Sequence, residues 1–140
     1  MKQTNSKQNQ QPKKRVGVWM DHFQAFLFSV PEGGKKDAYA LKESIETTEP
    51  EHDRQSEHTI HNAEQQLRQK HFRSIATHIG AFDEILLFGP GTAQEELRNQ
   101  LSDDVHFRGK RVAVESAGHI TQNQMVAKVR EYFEANPKAA

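Results

Sequence analysis

The sequence contains no cysteine, which excludes disulfide bonds, thiol catalysis and thiolate metal sites together. It has no apolar run near the roughly 18 residues that a membrane span needs. The basic N-terminus is followed by no apolar stretch, so no secretory signal is predicted. Hydrophobic residues make up only 34% of the 140 residues, and the mean hydropathy is −0.89. We therefore expect a soluble cytoplasmic protein with one core, no membrane partner and part of its length unpacked.

A net charge of zero conceals an uneven distribution. Five of the 19 Lys and Arg residues lie within residues 1–15, which contain no acid, so the other 14 face 19 Asp and Glu residues, a net charge of −5. We predict a disordered, basic, Gln/Asn-rich tail over residues 1–14 and a single domain over residues 15–136. Such a tail either contacts phosphate backbones as a flexible arm or only keeps the terminus soluble.

The apolar pattern predicts the order of the elements. Alternating stretches at 15–21, 23–30 and 38–48 indicate a meander of three antiparallel strands, the third at a sheet edge. A polar loop over 49–61 and a helix over 62–79 follow, and then a buried strand at 84–89. A helix, a strand at 111–116 and a last helix complete the chain. Right-handed crossovers make the fourth and fifth strands parallel to the first. The expected fold is a ribonuclease H-like α/β domain, with a five-stranded mixed sheet and helices packed on it.

The Gly89-Pro90-Gly91 turn is a candidate phosphate cradle. However, Pro90 lacks a backbone donor, and Glu95 and Glu96 in the following helical turn repel phosphate. The turn is therefore interpreted as a tight exit from a strand, and no cofactor is predicted. Two capping boxes are predicted at helix starts, one from Thr92 and Glu95 and one from Thr121 and Gln124.

A ribonuclease H-like fold raises the possibility of a metal-dependent nuclease, which needs several converging carboxylates. Asp21 ends the first strand and is a candidate, but no acid ends the fourth strand. Glu64 at the opening of the first helix and Glu115 at the end of the fifth strand complete only a partial set. The spacing of His52, His58 and His61 matches no strong ligand pattern, and His71 and His78 are interpreted as partly buried, hydrogen-bonded side chains. No metal site is predicted.

Two stretches carry a resemblance to a known family: "HNAEQQLRQKHFRSIATHIGAFDEILLFGPGTAQEELRNQL" at 61–101 and "KRVAVES" at 110–116. They resemble the central domain of archaeal and eukaryotic peptide chain release factors and of pelota. They are most similar to its stand-alone bacterial relatives, called translational machinery or host attachment-like proteins. The resemblance covers about residues 15–134.

In the release factors, the loop before the first helix carries the Gly-Gly-Gln motif of peptidyl-tRNA hydrolysis. The equivalent loop here, about 49–61, has Gln55 but no glycines, and the Gly33-Gly34-Lys35 stretch lies in a hairpin. The resemblance therefore implies a pelota-type domain that binds rather than hydrolyses.

Three functions follow as hypotheses. The first is a noncatalytic ribosome- or RNA-associated translation factor, for which the RNA-binding residues are predicted to be Lys13, Lys14, Arg15, Arg68, Lys70, Arg73, Arg108, Lys110 and Arg111. The second is a protein-interaction or homodimerising module that uses exposed Trp19, Phe23 or Phe107 as anchors, with packing on a helix as the alternative for Trp19. The third is a hydrolase, either a nuclease through Asp21 or a peptidyl-tRNA esterase through the 49–61 loop. Whether the chain is an enzyme is left open, and a noncatalytic role is favoured.

Overall fold

A computed structural model describes residues 13–47 and 57–137, and it describes residues 57–60 by their backbone alone. Several predictions therefore lie outside the described residues: most of the basic tail, the 49–56 part of the polar loop with His52 and Gln55, and the side chain of His58. Within the described ranges, no helix is long and apolar enough to cross a membrane.

Five strands and three α-helices follow one another in the predicted order. They are β1 (Arg15–Met20), β2 (Gln24–Ser29), β3 (Ala40–Glu46), α1 (Glu57–Ile79), β4 (Glu84–Gly89), α2 (Ala93–Ser102), a 3₁₀ turn (Val105–Phe107), β5 (Arg111–Ser116) and α3 (Gln122–Ala135). One boundary was wrong, because α1 begins at Glu57 and so includes the last residues of the predicted loop, and Glu64 lies well inside it. His61 and Asn62 are exposed, so the start of the helix shows no apolar period.

The strands form one mixed sheet in the order β3-β2-β1-β4-β5. The pairs β3–β2 and β2–β1 are antiparallel, whereas β1–β4 and β4–β5 are parallel. This topology confirms the predicted α/β fold, with a three-stranded meander and two further strands parallel to the first. Because β1, β4 and β5 are parallel, their amino ends lie side by side at the same end of the strands, with Arg15 opposite Glu84 and Glu84 opposite Arg111.

Helices cover both faces of the centre of the sheet. On one face, α1 and α2 bury Ile75 and Leu97 against alternate residues of β1 and β4, such as Val18 and Leu87. On the other face, α3 packs on Trp19 and Phe88. All six residues of β4 are buried, as its continuous apolar run predicted.

The aromatic residues proposed as exposed anchors are mostly inside the protein. Trp19 is 2% exposed and Phe107 is 7% exposed, so neither is an exposed anchor, and the alternative that Trp19 packs on a helix is confirmed. The indole Nε1 of Trp19 donates a hydrogen bond to the Gly118 carbonyl at 3.1 Å, which satisfies its polar atom on the α3 side of the sheet. Only Phe23 is partly exposed.

The Gly-Pro-Gly turn is held by a very close approach between β1 and β4. A Cβ atom on Gly89 would lie 2.0 Å from the Met20 carbonyl oxygen. The fully buried Gln94 donates its amide to the carbonyls of Gly89 and Gly91, at 3.0 and 2.9 Å. A glycine and a buried glutamine thus fix the exit from β4.

The two predicted capping boxes differ in outcome. Thr121 and Gln124 form theirs at the start of α3. Thr92 is the N-cap residue of α2, but its side chain makes no capping hydrogen bond, and its hydroxyl donates instead to Glu96 Oε2 at 2.8 Å. That prediction was wrong because Glu96, one helical turn away, accepts a hydrogen bond from the Thr92 hydroxyl, and Glu96 also contacts His22 from the β1–β2 turn.

We expect Gly89→Ala to destabilise the fold by about 3 kcal/mol, because the new methyl group collides with the backbone of β1. Gly91→Ala is the matched control, since nothing lies within 4 Å of its Cβ position, and it should change stability by less than about 0.5 kcal/mol. Urea unfolding followed by circular dichroism measures both. Equal effects of the two substitutions would contradict the close approach.

Candidate nucleic-acid interface

The basic residues predicted to bind RNA fall into two separate groups. Lys13, Lys14, Arg15, Arg108, Lys110 and Arg111 lie at or beside the amino ends of β1 and β5. The other three, Arg68, Lys70 and Arg73, lie on α1. This helix begins beyond the carboxyl end of β1 and runs back along the sheet towards the amino ends of the strands. The structure therefore brings together the first six residues and keeps the helical residues apart from them. We call the first group the strand-start group.

Arg15 takes part in an ion pair within the fold. Its Nε lies 2.6 Å from Oε1 of Glu84, whose side chain is only 3% exposed. The guanidinium also sits 5.4 Å from the centre of the Phe133 ring and donates to the Pro137 carbonyl. A buried carboxylate needs such a partner, because an uncompensated charge there is costly. Arg15 thus joins β1, β4 and the end of α3.

Lys110 is also engaged, since its Nζ donates to the Phe82 carbonyl at 2.7 Å. The other members of the strand-start group, Lys13, Lys14, Arg108 and Arg111, are exposed. Asp83 is exposed beside them and accepts a hydrogen bond from the backbone of Lys14. This end of the sheet therefore presents a mixed surface in which basic side chains outnumber carboxylates.

The outer side of α1 is more uniform. The exposed residues between 61 and 79 are His61, Asn62, Gln65, Gln66, Gln69, Lys70, Arg73 and Thr77. None of these is acidic. Six of them, Asn62, Gln65, Gln66, Gln69, Lys70 and Arg73, together with Ala63 and Leu67, line an open depression of about 820 Å³. We call these six residues the α1 face.

Sequence reasoning found the lysine and arginine of the α1 face but missed its amides. Asparagine and glutamine at helix positions give no apolar period and match no motif. Their spacing of three and four residues, free of acids, is a signal that a helical projection of the sequence would have shown.

Arg68 points away from the α1 face, towards α2. Its Nε is buried and has no hydrogen-bond partner among the described residues. Burial alone would raise the pKa of Glu96, but hydrogen bonds from Thr92 and His22, with the charges of His22 and Arg68, hold that pKa below its ordinary value. The His22 Nε2–Glu96 Oε1 distance is 3.1 Å. This polar cluster links α1, α2 and the β1–β2 turn.

His71 links α1 to the turn of the β1–β2 hairpin, at the carboxyl end of β1. Its side chain is fully buried, and Nε2 lies 3.2 and 3.3 Å from the carbonyls of Asp21 and Gln24. Because carbonyls only accept, Nε2 carries the proton, and Nδ1 accepts from the Thr47 hydroxyl at 3.0 Å. Burial lowers the pKa of His71, although the two carbonyl bonds oppose that shift. The expected buried, hydrogen-bonded histidine is confirmed.

A lowered histidine pKa makes stability depend on pH. Below the ordinary value of 6.5, the unfolded chain binds a proton that buried His71 resists, so the free energy of unfolding falls as the pH drops. The slope contributed by one such group is at most about 1.4 kcal/mol per pH unit.

We expect His71→Gln to be less stable than the unchanged chain near pH 8, by about 1–2 kcal/mol, because buried hydrogen bonds are lost. Its stability should also fall less between about pH 7 and pH 5, because one histidine that resists protonation is gone. Denaturant titrations at several pH values measure the difference between the two chains, which removes the contribution of the other histidines. Parallel pH profiles would show that His71 is not the responsible group.

The nuclease candidate Asp21 has a local structural role. Its Oδ1 accepts hydrogen bonds from the backbone N–H groups of Phe23 and Gln24, at 2.8 and 2.7 Å, and so closes the β1–β2 turn. Glu115 forms an ion pair with Lys128 at 3.0 Å. Across the ranges 13–47 and 57–137, no three His, Asp or Glu side chains are grouped to hold a metal ion.

Comparisons with known proteins establish a fold but no family. No protein-family model and no curated protein matches the sequence. Among solved structures, Pelota of Archaeoglobus fulgidus superposes with a TM-score of 0.58 and 11% identity, over 98% of this chain and 38% of that one. Pelota of Thermoplasma acidophilum gives a TM-score of 0.55 and 14% identity, over 100% and 39%. The archaeal translation termination factor aRF1 gives 0.48 and 12%, over 90% and 41%.

The likeness to the two Pelota structures establishes a shared α/β fold. The chain spans about two fifths of the length of each Pelota protein. It therefore corresponds to one part of those larger proteins.

Proposed function

We propose that the chain is a noncatalytic, ribosome- or RNA-associated factor related to translation, acting in the cytoplasm, and that the α1 face is its RNA contact. One observation carries this proposal. The exposed residues of α1 between 61 and 79 include Lys70, Arg73 and four amides but no carboxylate, and the single acid of that stretch, Glu64, is half-buried, although residues 16–140 hold 14 basic and 19 acidic side chains. A positive surface whose exposed residues include no acid, on an otherwise acidic body, is the electrostatic footprint of a phosphate-binding site.

The side chains of the α1 face suit the groups that RNA displays. Lys70 and Arg73 neutralise phosphates, while asparagine and glutamine amides donate to and accept from ribose hydroxyls and base edges. Because His71 lies at the end of the β1–β2 hairpin, the preceding residues of α1 rise beyond it at about 1.5 Å per residue. Five of the six residues of the α1 face precede His71 and are thereby carried outward, whereas Arg73 follows it.

The resemblance in the sequence and the Pelota-like fold support a role in translation. The absence of a Gly-Gly-Gln motif from the sequence favours binding over peptidyl-tRNA hydrolysis. The strand-start group and the basic tail, residues 1–14, form a second contact in this proposal. The strand-start group and the α1 face lie at opposite ends of the strands, and a six-residue strand is about 20 Å long. An RNA that reaches both must extend across the sheet.

We expect the chain to cosediment with ribosomes in low salt and to be released as salt rises, because counterions displaced by lysine and arginine drive such binding. Lys70→Glu combined with Arg73→Glu should weaken binding at least about tenfold and lower the slope of log K against log salt by about 2. Lys36→Glu with Lys42→Glu is the matched control, since both lysines are exposed near or on β3 and the net charge changes equally.

A chain lacking residues 1–14 tests the second contact and should bind more weakly with a smaller salt slope. Equal losses from the two double substitutions would mean that net charge, and not the α1 face, governs binding. No binding at any salt concentration would overturn the proposal and favour the alternative of a protein-interaction or homodimerising module.

A further inference from the structure

The sheet ends in two exposed edges that differ in character. The β3 edge carries the exposed charges of Lys42, Glu43 and Glu46, and its pairing with β2 shifts register at Leu27 and Phe28. Charges and bulges are the features by which natural edge strands resist pairing with another chain. At the other edge, β5 pairs with β4 without a register shift. It has no proline, glycine or lysine, and its centre is apolar.

The hydrogen-bonding groups of β5 alternate between β4 and the outside. The Arg111 N–H donates to Asp83 and the Ala117 N–H donates to Gly89, both towards β4. Strand alternation therefore directs the N–H and C=O groups of Val112 and Val114 outward. No strand of the described ranges pairs with them. These two residues form the open edge.

We propose that this edge pairs antiparallel with β5 of a second copy of the chain, about a two-fold axis at Ala113. In that register, Val112 lies opposite Val114 of the partner subunit, and each exchanges its N–H and C=O with the other. The outward-facing residues of one strand thus meet those of the other, which an antiparallel ladder requires. A continuous sheet through two copies results.

The side chains are complementary in the same register. On the α3 side, Arg111 lies opposite Glu115 of the partner subunit, and the symmetric contact repeats on the other side of Ala113. Glu115 already pairs with Lys128 at 3.0 Å, but its side chain is 37% exposed, so it can accept Arg111 as well. On the other side, Val112 and Val114 extend an apolar surface that is already half-buried against the core. Opposite charges at equal distances from a small central residue make β5 its own complement.

This inference concerns a different surface from the α1 face, but it shares Arg111 with the strand-start group, and it is therefore tested in the absence of RNA. The first test uses the absence of cysteine from the chain. Ala113→Cys places one thiol per copy at the two-fold axis, in a pair that is not hydrogen-bonded. Opposed Cα atoms there are about 4.5 Å apart, within the range that a disulfide spans. Mild oxidation of the nucleic-acid-free protein should convert most of it to a covalent dimer.

Ser44→Cys on β3 is the control, because Ser44 is exposed on the opposite edge strand. It should cross-link much more slowly at the same concentration. If Ala113→Cys stays monomeric, or if both variants cross-link at the same rate, the proposed pairing is wrong.

The second test reverses the charge of an exposed residue and then restores complementarity. Arg111→Glu should weaken dimerisation by about tenfold, since two favourable cross-strand pairs become repulsive. Arg111→Glu combined with Glu115→Arg should bring it back to within about twofold. Lys42→Glu on β3 should have no effect.

Sedimentation equilibrium over a wide concentration range measures all of these chains. An unchanged chain that is monomeric at every concentration would overturn the inference, as would a charge reversal that the exchange at 115 does not rescue. Because RNA is absent from both tests, their outcome does not depend on ribosome binding.

Discussion

Two strands that are distant in the chain, β1 and β4, hydrogen-bond in parallel at the centre of the sheet. The strands β2 and β5 flank that pair, and helices pack on both of its faces. The strands approach closely because Gly89 leaves room for the Met20 carbonyl, and α3 approaches because Gly17 leaves room for Val129. Helices on both faces then exclude water from β4 altogether. Arg15 neutralises the buried Glu84 at one end of the pair, and Gln94 fills the other.

Much of this fold could be predicted from the sequence because periodicity reports packing. The period of two in β1 and the unbroken apolar run of β4 correctly indicated one strand of the meander and one fully covered strand. Periodicity failed at the start of α1, where His61 and Asn62 are exposed and leave no apolar pattern. It also gave no warning that Thr92 would donate to Glu96. A local capping motif competes there with a polar cluster that tertiary structure assembles.

The candidate interface was harder to predict, because a sequence does not show where a charged side chain points or with which group it pairs. Arg68, Lys70 and Arg73 are close in the chain, yet Arg68 faces α2 while the other two line the α1 face. Arg15 looks available until Glu84, 69 residues away, is placed beside it. The amides next to Lys70 carry no charge at all. Such a surface is defined by the residues that lie together on one side of a helix. Finding it requires knowing which side of the helix packs on the core.

The long separation between β1 and β4 also governs how the chain acquires its structure. The contacts of Lys14 with Asp83 join residues 69 positions apart, whereas the β1–β2 hairpin closes through the short Asp21–Gln24 turn. Local hairpins form before such distant pairs, because closing a long loop costs more entropy and takes longer. During synthesis from the N-terminus, β1 therefore waits with one edge unpaired until β4 has been made.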